Sequence, residues 1–113
     1  MFDLKIILKR SLMLNRWRLN LKRLIKININ ALKHNFEIIK KKSPNSKIMA
    51  YVKQNAYGHD TSVIVSGLTN ADGFGVTDME SARLIRGLYT HKEILHAAVF
   101  PSKEAIKEAI EHN

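Results

Sequence analysis

A lysine closes a continuous apolar run in this sequence. Ile48-Met49-Ala50-Tyr51-Val52 has the composition of a strand buried on both faces, and Lys53 follows it directly. Open α/β sheets and βα barrels both place their chemistry at the C-terminal ends of strands. Side chains alternate along a strand, so Lys53 shares a face with Tyr51 and Met49. If that face lines a barrel interior, desolvation favours the neutral amine, which can attack a carbonyl carbon and form a Schiff base. The plainer alternative is a strand-end lysine reaching solvent. Tyr57 lies four residues on, in the loop spanning 54–59, and is either a packing aromatic or a ligand through its hydroxyl.

Other residues with chemical potential stand in weaker patterns. His34, His59, His91, His96 and His112 form no i,i+4 pair with a supporting carboxylate, so no metal site is expected. His59 reads as a hydrogen-bonded structural histidine. Gly73-Phe74-Gly75 lacks the third glycine of a dinucleotide fingerprint, and close backbone packing explains it better. Lys40-Lys41-Lys42 ends a helical pattern, where cations complement the helix dipole. Trp17 beside Arg16 and Arg18 suits stacking on a single-stranded nucleic acid, but one aromatic is thin support.

The elements that must position Lys53 follow from periodicity. Ile27-Asn28-Ile29 alternates like a short strand, and Asn30 is placed to cap a helix carrying Leu32, Phe36 and Ile39. Ser43-Pro44-Asn45 then makes a turn before the strand at 48–52. Asp60 can cap a second helix with Val63, Ile64 and Leu68 on its apolar stripe. Phe74-Gly75-Val76 is a second buried strand, and Thr77-Asp78-Met79-Glu80 fits a capping box for a helix carrying Ala82, Ile85 and Leu88. Residues 94–100 read as a third strand, ended by Pro101-Ser102 and followed by a helix with Ala105, Ile106, Ala109 and Ile110 on one side. This alternation of βα units with short connections predicts a parallel sheet with helices packed outside.

Length limits what that sheet can be. At 113 residues the chain has room for one compact domain, and 45% apolar residues suffice for a core. A closed eight-stranded barrel takes ~200–250 residues or more, so about three of its eight βα units fit. Three parallel strands leave two edges with unpaired backbone groups. With no cysteine in the chain, disulfides, thiolate zinc sites and cysteine nucleophiles are all excluded.

The formal charge of +9 is unevenly placed. Residues 1–26 hold eight bases and one acid, a net of +7, while the remaining 87 residues are nearly neutral at +2. That basic segment interleaves leucines and isoleucines with its charges and is expected to be an amphipathic helix. Its longest uncharged apolar run, Ile6-Ile7-Leu8, is far short of the ~18 residues of a spanning helix and is no secretory signal. It reads as a solvated tail, as sequence upstream of an internal start at Met13, or as a surface for an anionic membrane or nucleic acid.

Lys53-Gln54-Asn55-Ala56-Tyr57-Gly58-His59 after a buried strand resembles the cofactor-lysine motif of the alanine racemases. Residues 27–35 (Ile-Asn-Ile-Asn-Ala-Leu-Lys-His-Asn) resemble the strand and first helix that open that family, and Ala71-Asp72-Gly73-Phe74-Gly75-Val76 with Glu80 is a third anchor. The resemblance implies an α/β fold, the N-terminal part of a TIM-type (β/α)8 barrel, incomplete at about three βα units. It divides the chain into a basic extension over 1–22 and the barrel portion over 23–113. It implies pyridoxal 5'-phosphate as cofactor, bound as an aldimine on Lys53, which also serves as one of two racemisation bases. Tyr57 is implied as the ligand of the cofactor phosphate.

The implied reaction interconverts L-alanine and D-alanine, which feeds peptidoglycan synthesis in the bacterial cytoplasm. The family works as a homodimer whose opposite base is a tyrosine from the partner subunit's C-terminal domain. No position here matches that tyrosine, nor the family's pyridine-facing arginine, so the chain alone is expected to be inactive. Gln54, Asp60 and the Ala98-Val99 pair depart from the family's common residues. The alternatives are a non-catalytic truncated or decayed gene product and a basic module binding membrane or nucleic acid through residues 1–26. No specific partner of either kind is expected.

Overall fold

The computed structural model describes residues 4–7 and 24–112. Three strands, β3 (Met49–Tyr51), β4 (Gly73–Val76) and β5 (Glu93–His96), form a parallel sheet in the order β3-β4-β5. The register sets Tyr51 opposite Gly75, and Gly75 opposite Leu95. Helix α1 (Ile29–Lys42) precedes β3; α2 (Lys53–Tyr57) and α3 (Thr61–Gly67) follow it. Helix α4 (Met79–Leu88) follows β4, and α5 (Lys103–Glu111) follows β5. The three βα units read from the periodicity are therefore present, and their sheet is not closed.

Alternation along these strands sorts their side chains into two sets. Phe74 and Val76 are fully buried, and Val52, whose N–H extends the ladder to the Gly75 carbonyl at 2.9 Å, is 1% exposed. They meet Phe36 of α1, Val65 of α3 and Ile85 of α4 in one core. The Phe74 ring stacks on Tyr89 at 5.9 Å, and the Tyr89 hydroxyl donates to the Val65 carbonyl at 3.1 Å. Burying a side chain of this size contributes roughly 1.5–3 kcal/mol, so this layer supplies most of what holds the helices to the sheet.

Helix starts show where the chain's own signals act. Asp60 caps α3 as its position suggests, accepting from the Val63 N–H at 3.2 Å. Ser102 caps α5 by accepting from Ala105 N–H at 3.2 Å. The cap of α1 is Asn28 rather than Asn30, its side-chain oxygen accepting from Ala31 N–H at 3.0 Å. Ile27-Asn28-Ile29 is accordingly no strand: β2 (Leu24–Ile27) ends where the helix begins. At α4 the cap is Asp78 rather than Thr77, its carboxylate accepting from Ser81 N–H at 2.7 Å and from the Ser81 hydroxyl at 3.0 Å. A carboxylate at the dipole's positive end outcompetes the neighbouring hydroxyl.

The basic extension departs from expectation where it is described. β1 (Leu4–Ile7) is a strand, not a helix, and pairs antiparallel with β2, with Leu4 opposite Ile27. Two β-branched residues in four favour that extended form. The rest of the expected amphipathic helix, residues 1–3 and 8–23, lies outside the described residues.

Three cationic side chains, Lys40, Lys92 and Arg86, and one carboxylate, Asp72, tie the N-terminal rim of the sheet. Asp72 accepts from the Ile48 N–H at 2.7 Å and lies 3.8 Å from Lys40 Nζ. The Ile48 N–H, helped by the fields of Lys40, Lys47 and Lys92, holds the Asp72 carboxyl below its ordinary pKa of 3.8. Lys92 donates to the carbonyls of Thr69, at 2.8 Å, and Ala71, with its ammonium 5.0 Å from the centre of the Tyr89 ring. A single Arg86 nitrogen, Nη1, gathers the carbonyls of Tyr89, Thr90 and Lys92 at 3.2, 3.1 and 2.9 Å.

Candidate active site

Lys53 stands at the C-terminal end of β3, one residue past Val52, at the first position of α2. The segment expected to be a plain loop is a left-handed turn. Gln54, Asn55, Ala56 and Tyr57 have φ of 53°, 54°, 51° and 54°, a conformation that L residues seldom hold consecutively. Gly58, at φ 86°, carries the chain out of it. The Ala56 N–H donates back to the Val52 carbonyl at 3.0 Å, and Gly58 N–H to the Asn55 carbonyl at 3.0 Å.

This turn is what brings the two predicted site residues together. Reversing the hand of a helix leaves its repeat near four residues, so residues four apart emerge on one side. Lys53 Nζ lies 5.9 Å from the centre of the Tyr57 ring, within cation–π reach. Between them, Val52 and Ala56 are buried in the core at 1% and 6% exposure. The turn is thus anchored from below while its lysine is partly exposed and its tyrosine, at 58%, faces open space.

A second tyrosine, Tyr51, stands on β3 two residues before Lys53. The Tyr51 ring lies across Gly75 of the adjacent strand, so close that a Cβ on Gly75 would meet ring carbons at 2.8 Å. On Gly73 a Cβ would meet the Glu93 carbonyl oxygen at 2.6 Å. The Gly73-Phe74-Gly75 pattern is close packing, as read from the sequence. His59 also follows expectation, its Nδ1 lying 3.0 Å from the Ala56 carbonyl.

Two residues at this site were not legible in the pattern. Asn55 accepts from the Thr61 N–H at 2.9 Å through its side-chain oxygen, and the Thr61 hydroxyl, 4% exposed as a residue, donates to the Val52 carbonyl at 3.4 Å. Asn's tolerance of left-handed backbone was the available signal. An apolar cavity of about 620 Å³ between α4, β5 and α5, lined by Ala82, Ile94, Phe100 and Ile106, contains neither Lys53 nor Tyr57.

An amine and a phenol on one side of a rigid turn, at the C-terminal end of a parallel strand, can hold a small molecule at two points. Residues 27–113 match the family described as alanine racemase, N-terminal domain. The chain belongs to that family. It is 50% identical over 72 residues to the alanine racemase of Mannheimia succiniciproducens and 52% identical over 71 residues to that of Haemophilus influenzae. These alignments cover 63% and 62% of this chain but 20% of each relative. The structure of alanine racemase from Acinetobacter baumannii matches 76% of this chain with a TM-score of 0.69 at 32% identity. Biosynthetic alanine racemase from Pseudomonas aeruginosa matches 73% with a TM-score of 0.63 at 33% identity. Each of these two structures is covered over 24% of its length. The chain therefore spans between a fifth and a quarter of these four alanine racemases, and its open α/β sheet corresponds to the N-terminal portion of their TIM-type barrel.

Proposed function

We propose that this chain carries the cofactor-lysine portion of an alanine racemase, with Lys53 and Tyr57 as its pyridoxal 5'-phosphate ligands. The single observation that carries this reading is the left-handed turn that sets the Lys53 amine and the Tyr57 ring on one open side, 5.9 Å apart. Those two groups fit the cofactor's chemistry. A primary amine matches an aldehyde, and a phenolic hydroxyl donates a hydrogen bond to a phosphate oxygen. In this reading the chain divides at residue 22/23 into a basic extension and the barrel portion.

When bound, pyridoxal phosphate withdraws electrons from the substrate's Cα and acidifies its hydrogen. In this reading Lys53 would hold the cofactor through its aldehyde. The Lys53 amine, when free, would hold or return a proton at one face of the substrate's Cα. The Tyr57 hydroxyl would orient the cofactor by its phosphate. L- and D-alanine are the substrates. Inversion requires a second base on the opposite face, which the family draws from a partner subunit. The 113-residue chain alone accordingly turns over little alanine. The reading places the reaction in the cytoplasm, in the supply of D-alanine for peptidoglycan. Among the described residues, no helix is long and apolar enough to cross a membrane.

The test is reductive trapping. Purified chain mixed with pyridoxal phosphate and borohydride is expected to carry one reduced cofactor adduct, the cofactor less one oxygen, on the peptide containing Lys53. Lys53→Ala should lose that adduct, and neither chain should form D-alanine at the rate of a full-length racemase. Equal labelling of wild type and Lys53→Ala overturns the assignment of Lys53. A second reading, a non-catalytic product, is favoured by the exposure of Tyr51 and Leu95 at 49% and 44%; it predicts no selective adduct.

A further inference from the structure

Four consecutive left-handed residues require an explanation beyond their own preferences. Each non-glycine residue in that region is disfavoured, and such backbone persists only where its surroundings over-determine it. Burial of Val52 and Ala56 fixes the inner side of the turn. On its other side, one pair of residues links the turn to α3. The Asn55 carboxamide oxygen accepts the Thr61 N–H at 2.9 Å, and the Thr61 hydroxyl reaches the Val52 carbonyl at 3.4 Å. The main-chain carbonyl of Asn55 also receives the N–H groups of Gly58 and Asp60, at 3.0 and 3.1 Å. Thr61 therefore touches both the residue before Lys53 and the middle of the turn that ends at Tyr57.

We propose that Asn55 and Thr61 are positioning residues that fix the spacing of Lys53 and Tyr57, and thereby make this site prefer a phosphorylated aldehyde over the same aldehyde without phosphate. The inference rests on the assignment of Lys53 and Tyr57 above and adds what sets their geometry. Two-point binding gains over one-point binding only if both partners are met at once, and a misplacement near 1 Å forfeits the second contact. Neither Asn55 nor Thr61 needs to touch the ligand. Their action is transmitted through the backbone of the turn.

The probes are pyridoxal phosphate and pyridoxal. With either, the Lys53 amine condenses with the aldehyde, forming a C=N bond and releasing water; borohydride then delivers hydride to that carbon and leaves a stable secondary amine. The ratio of trapping at Lys53, phosphate over phosphate-free, reads the Tyr57 contact rather than the amine's reactivity. A hydrogen bond to a charged phosphate makes the expected wild-type preference about tenfold or more.

Asn55→Ala removes the acceptor and the residue type best suited to the turn, and is expected to bring the ratio close to that of Tyr57→Phe. The double variant should fall no further than Tyr57→Phe alone. Asn55→Asp keeps an acceptor and should keep the preference. Thr61→Val should reduce it about threefold and Thr61→Ser should retain it, because only the former lacks the hydroxyl. In the absence of either aldehyde, the strong intraresidue HN–Hα cross-peaks that report positive φ at Ala56 and Tyr57 should weaken in Asn55→Ala and persist in Asn55→Asp.

A folded Asn55→Ala chain with the full preference overturns the proposal, as does a preference lost equally in Asn55→Ala and Asn55→Asp. Should Asn55→Ala fail to fold, the Thr61→Val and Thr61→Ser pair decides, and equal ratios in the two overturn it. Wild-type trapping at Lys53 with no phosphate preference overturns this inference and leaves Lys53 standing. No wild-type trapping at Lys53 with either probe overturns the functional reading itself, and this inference with it.

Discussion

The two faces of the three-stranded sheet are built from different residues for different ends. On the helix-covered face, Val52, Phe74 and Val76 are at most 1% exposed. On the other face, Tyr51 and Leu95 keep about half their surface, and the residue between them on β4 is Gly75. One face is filled by side-chain volume. The other is kept low by Gly75, across which the Tyr51 ring lies. Core volume and open surface are thus separated by the pleat: neighbouring residues of one strand serve one or the other.

That separation can be broken at single positions. The largest effect is expected at Phe74, where truncation to alanine empties the centre of the covered face. It should destabilise the chain by about 3–5 kcal/mol, whereas Tyr51→Ala on the open face should change it by less than about 1 kcal/mol. Urea unfolding of the two variants measures the contrast, and similar losses would erase it. Gly75→Ala should be intermediate. Its new methyl group would meet the Tyr51 ring at 2.8 Å, and the ring can give way only toward the open side. A loss of about 1–3 kcal/mol is expected, with a change in Tyr51 fluorescence reporting the displaced ring.

The smallest effect belongs to the rim, where neither face is involved. Native Asp72 has its pKa lowered, first by the Ile48 N–H and then by Lys40, Lys47 and Lys92. Its charge therefore favours the folded state above the ordinary aspartate range, and that contribution is lost as pH falls through and below 3.8. The carboxylate is over a third exposed, which screens the effect. Between pH 6 and pH 3 the wild type should lose slightly more stability than Asp72→Asn; parallel pH profiles would remove Asp72 from the account.

The covered face was largely legible in the sequence, because burial leaves a periodic trace. Phe36, Phe74, Val76 and Ile85 all follow from apolar spacing, and Asp60 was readable as a cap from its place alone. The position of Lys53 at a strand end was equally clear. The hand of the turn after it was not. Gln54, Asn55, Ala56 and Tyr57 have no individual preference strong enough to announce four positive φ values. That geometry is imposed by Val52 and Ala56 in the core and by Thr61, six residues beyond Asn55. The β1–β2 pairing was hidden for a similar reason, since Leu4 finds its partner at Ile27, far along the chain. The caps at Asn28 and Asp78 were missed by two residues and one, where adjacent residues offered competing acceptors or donors.

Arg86 illustrates a different economy. Its Nη1 collects the carbonyls of Tyr89, Thr90 and Lys92 into one small coordination shell, much as a bound calcium ion organises the oxygens of a loop. A metal must be supplied from solution and can be taken away by a chelator. This cation is tethered to its own backbone by a single side chain, so its effective concentration at the loop is set by the chain itself. The approach to β5 is consequently held by a cation the chain itself carries.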